Sequence, residues 1–228
     1  MIRNAALAWL SSYLIFAVLP VQAQVIQNMT LLGQANDFPE VGYNDIWGYA
    51  DNTGLEYAII GTRNSTLIYS LENPASPRLR ANIPGTVSTW RDMKSWKQFV
   101  YVIADRGADG IVKIDMSAAP DTITHEFLSP QTLINGTPGT VSRGHNLYID
   151  EKGFLYASGT NLHSGGVLIF DIDDATGELS FAGAGDPRYS HDNYASHDTL
   201  WSADIYAGIF SAQDVSDKTN VQTIGFHE

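Results

Sequence analysis

The sequence predicts an all-β fold, a β-propeller built from four-stranded antiparallel blades. Three observations lead there. The chain repeats itself at a period of about 45 residues, within the range of propeller arrays. Each repeat holds short alternating or β-branched runs bounded by Gly, Asn and Asp, which is strand chemistry. No run keeps a helical period over a useful length.

The N-terminus comes before the repeats. Arg3 precedes an apolar stretch from Ala5 to Leu19, Pro20 ends it, and Val21 and Ala23 are small. This reads as a signal peptide over 1–23, cut before Gln24, because the stretch is shorter than the ~20 apolar residues of a spanning helix. An uncleaved membrane anchor is the alternative. Residues 24–43 read as a lone outer strand, Val25 to Gln34, that closes a ring, followed by a lead-in. Four blades then run over about 44–87, 88–141, 142–187 and 188–228, with no spanning segment among them.

Each blade opens on a polar pair: Asn44-Asp45, Arg91-Asp92, His145-Asn146 and His191-Asp192. The second members lie 47, 54 and 46 residues apart. A turn follows, then a second run: Tyr57 to Gly61, Phe99 to Asp105, Phe154 to Gly159 and Leu200 to Asp204. A third run begins near Ser65, Gly110, Gly165 and Gly208, alternates, and ends on Asp or Ser. A more polar fourth run closes each blade: "RLRANIP", "ITHEFL", "LSFAGA" and "VQTIGF".

Composition limits the functions available. With 44% hydrophobic and 11% aromatic residues, the chain can bury a core unaided. It has no cysteine, so neither disulfides nor thiolate metal sites are available. A formal charge of −12 argues against nucleic acid and anionic membranes as partners.

The third-run pattern resembles the LVIVD repeat. Together "NDIWGY", "HNLYID", "GGVLIFDI" and "LWSADIYAGIFSAQDVSD" resemble the bacterial surface proteins called choice-of-anchor B. That resemblance implies an exported propeller whose relatives carry further blades and a sorting segment. It therefore implies that this chain is a fragment of a larger ring, with any anchor beyond its C-terminus. A four-bladed ring is the alternative.

The first strand of a propeller blade lines the central channel, so the opening pairs are expected to converge. The channel-lining set is Asn44, Asp45, Arg91, Asp92, His145, Asn146, His191 and Asp192. Of these, His145, His191, Asp192, Asp92 and Asp45 carry the imidazole and carboxylate donors that suit a divalent metal. Hydrogen bonding within the channel is the structural alternative. Asp171 to Glu178 resembles the start of a calcium loop but sits where a blade needs a turn. Asn28, Asn64 and Asn135 begin Asn-x-Ser/Thr triplets, read as chance.

Two functions follow. The first is an exported surface or periplasmic module that binds a protein, peptide or glycan without catalysis. The second is a metal-dependent hydrolase, lyase or oxidoreductase using the channel donors. No complete catalytic motif chooses between them, and fold alone does not.

Overall fold

Where the sequence alternates, the structure pairs strands. The structure is a computed structural model that describes residues 28–228. The expected signal peptide, its cut before Gln24 and residues 25–27 of the expected closing strand lie outside the described residues. The remainder of that segment, 28–34, holds no strand. Without a ladder partner, a lone extended stretch gains nothing over water.

The first sheet comprises β1 (Tyr43–Ala50), β2 (Glu56–Thr62), β3 (Ser65–Ser70) and β4 (Arg78–Pro84), paired antiparallel in chain order. The second comprises β5 (Arg91–Trp96), β6 (Phe99–Ala104), β7 (Ile111–Asp115) and β8 (Thr124–Leu128). A separate hairpin, β9 (Gln131–Ile134) and β10 (Thr137–Thr140), follows. The third sheet is β11 (Asn146–Ile149), β12 (Phe154–Ser158), β13 (Leu168–Ile172) and β14 (Leu179–Ala184). The fourth is β15 (Asn193–Ser196), β16 (Thr199–Asp204), β17 (Ile209–Asp214) and β18 (Gln222–His227). The first strands adjoin in the order β1, β5, β11, β15, so the sheets are propeller blades.

The blades are held by cores between their faces. Strand β6 is wholly buried, and its period of two feeds two cores at once. Val100 and Val102 pack with Tyr57, Ile59 and Met93 towards the first blade. Phe99, Tyr101 and Ile103 pack with Leu147, Leu155 and Phe170 towards the third. That explains a continuous apolar run where a half-buried strand would alternate. In blade three, Tyr156 and Ile169 form the next core with Ala195 and Leu200 of blade four. The far face of blade four presents Trp201 and Phe210 to solvent, stacked with centroids 5.7 Å apart.

A recurring aspartate fixes the turn after the first strand. Asp150 Oδ1 accepts the backbone N–H of Lys152 and Phe154 (each 2.9 Å), and Oδ2 accepts the Tyr156 hydroxyl at 2.9 Å. Asp51 does the same for Thr53, Leu55 and Tyr57 in blade one. The β9–β10 hairpin was not expected from the sequence. Its turn is Asn135-Gly136, with φ of 50° and 77°, the Asn-Gly pair favoured in a two-residue turn with both φ positive.

Among the described residues no helix is long and apolar enough to cross a membrane.

Candidate functional site

Antiparallel order puts the start of each first strand and the end of each second strand at the same end of the blades. The opening pairs are gathered there. All the expected channel residues except His191 line one pocket of about 370 Å³, with Trp90 and Lys94 added. His191 stands beside it, its ring centroid 4.0 Å from that of His145.

Some of these side chains are committed to structure. Asn44 donates to the carbonyls of Thr62 and Thr89 and accepts from its neighbour's N–H. Arg91 is buried and donates to the carbonyls of Thr62 and Thr86, which tie blade one to the lead-in of blade two. Burial lowers its pKa, with Asp109 opposing the shift.

Others form a polar belt from blade to blade. Asp92 is 8% exposed. Its Oδ1 accepts Met93 N–H (2.8 Å) and the Lys94 ammonium (2.7 Å); its Oδ2 accepts Asn146 Nδ2 and Leu147 N–H (each 2.7 Å). Burial pushes its pKa up to about 6; Lys94 opposes this and the neighbouring Asp45 carboxyl adds to it. Asn146 Oδ1 in turn accepts the side chain of Asn193 at 3.0 Å. The position equivalent to Asn146 in blade four is therefore Asn193, one residue beyond Asp192. Asp192, just before β15, is exposed at the pocket and bonded to its neighbour His191 at 2.6 Å.

His145 is oriented from another blade. Its Nδ1 lies 2.7 Å from Asp105 Oδ1, at the end of β6. If the carboxylate holds the proton on Nδ1, Nε2 is left as an acceptor. Gly159 makes this placement possible: it has φ +62°, and a Cβ there would lie 2.5 Å from the His145 Cβ. Sequence reasoning missed Asp105, Lys94 and Gly159 as site residues. Asp105 was visible only as the end of a strand and the first residue of a Gly-rich turn.

The donors are not gathered for a metal. His145 turns to Asp105, His191 to Asp192, and Asp92 is surrounded by four donors. Among the described residues no three His, Cys, Asp or Glu side chains are arranged to hold an ion.

No family model matches the chain, and no curated protein matches it either. Solved structures do match. A provisionally assigned 6-phosphogluconolactonase of Bacteroides uniformis has TM-score 0.55 and 15% identity, over 78% of this chain and 53% of that one. A second such protein, from Bacteroides fragilis, has TM-score 0.56 and 13% identity, over 82% and 58%. The periplasmic gluconolactonase of Pseudomonas aeruginosa has TM-score 0.56 and 15% identity, over 82% and 54%. The fold is a β-propeller. The chain spans between half and three-fifths of the length of these structures.

These findings correct two expectations. The likeness to choice-of-anchor B proteins and to the LVIVD repeat is not upheld. Its third-run pattern follows from blade physics: a strand buried between two cores is apolar, and its terminal Asp caps the next turn. Asp115 Oδ1 accepts Ser117 N–H at 2.8 Å, and Asp214 Oδ1 accepts Ser216 N–H at 2.9 Å. Any propeller with such turns repeats that pattern. The expectation of a non-enzymatic binding module is likewise not upheld: these three matched structures are described as lactonases.

Proposed function

We propose that this chain carries the catalytic pocket of an exported hydrolase that opens the ring of a sugar lactone. The observation that carries the reading is the His145–Asp105 pair at the central pocket. The activities named for propellers of the same fold support the choice of substrate class.

The chemistry is acyl transfer to water. His145 Nε2 takes a proton from water as its oxygen attacks the lactone carbonyl carbon. Asp105 steadies the imidazolium that forms. The Lys94 ammonium, held by Asp92 and the Met93 carbonyl at 2.7 and 3.0 Å, keeps a third N–H for the carbonyl oxygen as it becomes negative. When the C–O bond of the ring breaks, the imidazolium returns its proton to the leaving oxygen. One water is consumed and one hydroxy acid is produced.

The test is acid release from glucono-δ-lactone, followed by pH-stat. The full chain is expected to exceed the uncatalysed rate, and His145→Asn to lose about 100-fold or more in kcat. A wild-type rate no faster than buffer, or an unimpaired His145→Asn variant, would remove the proposal. For the location, we read 1–23 as an export signal, in keeping with the periplasmic neighbour. A mature protein from the producing cell whose mass begins at Gln24 is the expected result.

A further inference from the structure

Beside the central pocket lies a second hollow of about 530 Å³, lined by Asp105, Arg106, Gly107, Arg143, Gly159 and Tyr189. Among the described residues neither Arg106 nor Arg143 forms a salt bridge, and neither guanidinium has a hydrogen-bond partner in the fold. The Tyr189 hydroxyl also makes no hydrogen bond there. Of the other arginines at this end of the blades, Arg91 donates to two carbonyls and Arg188 to Asp186 and Asp204, while exposed Arg63 at the end of β2 lies outside the hollow. In a chain with 25 acidic residues against 13 Lys and Arg, two unspent guanidinium groups facing one hollow need a reason.

The hollow is built into the fold. Arg106 belongs to the turn between β6 and β7. Gly107 there has φ +89°, and a Cβ on it would collide with Thr86 at 2.3 Å. Arg143 belongs to the lead-in of blade three, where Gly144 N–H donates to the Ala104 carbonyl at 3.0 Å. That bond joins the lead-in to the end of β6 and brings the two arginine segments together. Tyr189 packs over Gly165, where a Cβ would meet its ring at 2.5 Å, and its ring lies tilted by 43° against that of Tyr206, 4.7 Å between centroids.

The two hollows share a wall. His145 lines the central pocket, and Asp105, whose carboxylate is bonded to it, lines the second hollow. We infer that Arg106, Arg143 and Tyr189 form an oxyanion-recognition site that holds a carboxylate or phosphate substituent of the substrate. Its reacting carbonyl then lies against His145. The inference rests on the lactone-hydrolase reading for what the anion is attached to, but not for the existence of the site. The planar guanidinium fork suits either anion, since both present paired oxygens.

Two measurements test it on the full chain. First, inorganic phosphate and acetate are titrated calorimetrically into wild type and into Arg106→Gln/Arg143→Gln, at low and at 0.5 M salt. Phosphate is expected to bind wild type about 10-fold or more tighter than the double variant, with salt weakening it. Secondly, kcat/KM is compared for a neutral aldonolactone, its phosphate ester and a uronic-acid lactone. Wild type should prefer an anionic lactone, and which of the two it prefers separates phosphate from carboxylate. The double variant should lose that preference by about 10-fold or more. Hydrolysis of all three lactones at similar rates, with no arginine-dependent phosphate binding, would overturn the site and leave the hydrolase reading intact. Arginine-dependent phosphate binding in a protein that opens no lactone would support the site and overturn the hydrolase reading.

Discussion

Gly159→Ala tests whether the position of His145 governs the reaction. The substitution adds one methyl group at φ +62°, where an L-residue incurs about 1–2 kcal/mol of backbone strain. The new carbon would sit 2.5 Å from His145 Cβ and 3.2 Å from His145 N. Both are fixed atoms near the backbone, so a side-chain rotation cannot relieve the contact. Overpacking of this kind costs about 1–3 kcal/mol, which brings the expected total to about 2–5 kcal/mol. For a chain of this size that is a fall in Tm of roughly 5–15 °C. The shift falls on the residue whose ring bonds Asp105, and a misplacement near 1 Å costs about 100-fold in rate. Gly136→Ala is the matched control, because it has a similar φ of +77° but nothing within 4 Å of the added carbon. It should lower Tm without slowing lactone opening. Thermal melts and pH-stat kinetics on both variants supply the comparison. A Gly159→Ala enzyme with the lowered Tm but a kcat/KM within about threefold of wild type would refute the claim that His145 does the chemistry.

Two further outcomes concern the belt and the turns. Tyr156→Phe removes the hydroxyl donated to Asp150 Oδ2, both groups being buried. Urea unfolding should show a loss of about 1–3 kcal/mol, and Tyr57→Phe less, because its partner Asp51 faces solvent. The Asp92 carboxyl, pushed up to about 6 by burial, takes up a proton in the native state at a higher pH than in the unfolded chain. Its stabilising effect is therefore fully present below about pH 4 and is lost as pH rises through 6. From an ordinary value of 3.8 the difference amounts to about 3 kcal/mol. The stability gap between wild type and Asp92→Asn should shift in favour of wild type by about 2 kcal/mol on going from pH 7 to pH 4.5. A gap independent of pH would show that Asp92 titrates alike in both states.

The blades were legible because each strand's burial pattern is local. Tyr57 to Gly61 and Phe99 to Asp105 read as strands from their own residues, and the structure pairs both. The gathering of the opening pairs was legible too, since equal positions on successive blades face one axis. What escaped were relations between blades. Asp105 reaches His145 across 40 positions, and no local pattern marks that pairing. Asn193 was displaced by its neighbour Asp192 because a repeat aligned by residue type tolerates a one-residue slip that a pleated strand does not. Lys94 was hidden within a strand, its ammonium held by Asp92 and 4.8 Å from the Trp47 ring centroid.

Strand β6 shows what it means to be a wall with two rooms. Val100 is selected by one core and Tyr101 by the next, so each substitution along the strand is judged on a different side from its neighbour. A single inserted residue would exchange the two sets and spoil both rooms together. In a linear array of repeats, such a blade carries two interfacial free energies where a blade lacking one neighbour carries one. Disturbance that begins at β6 is therefore felt on both sides.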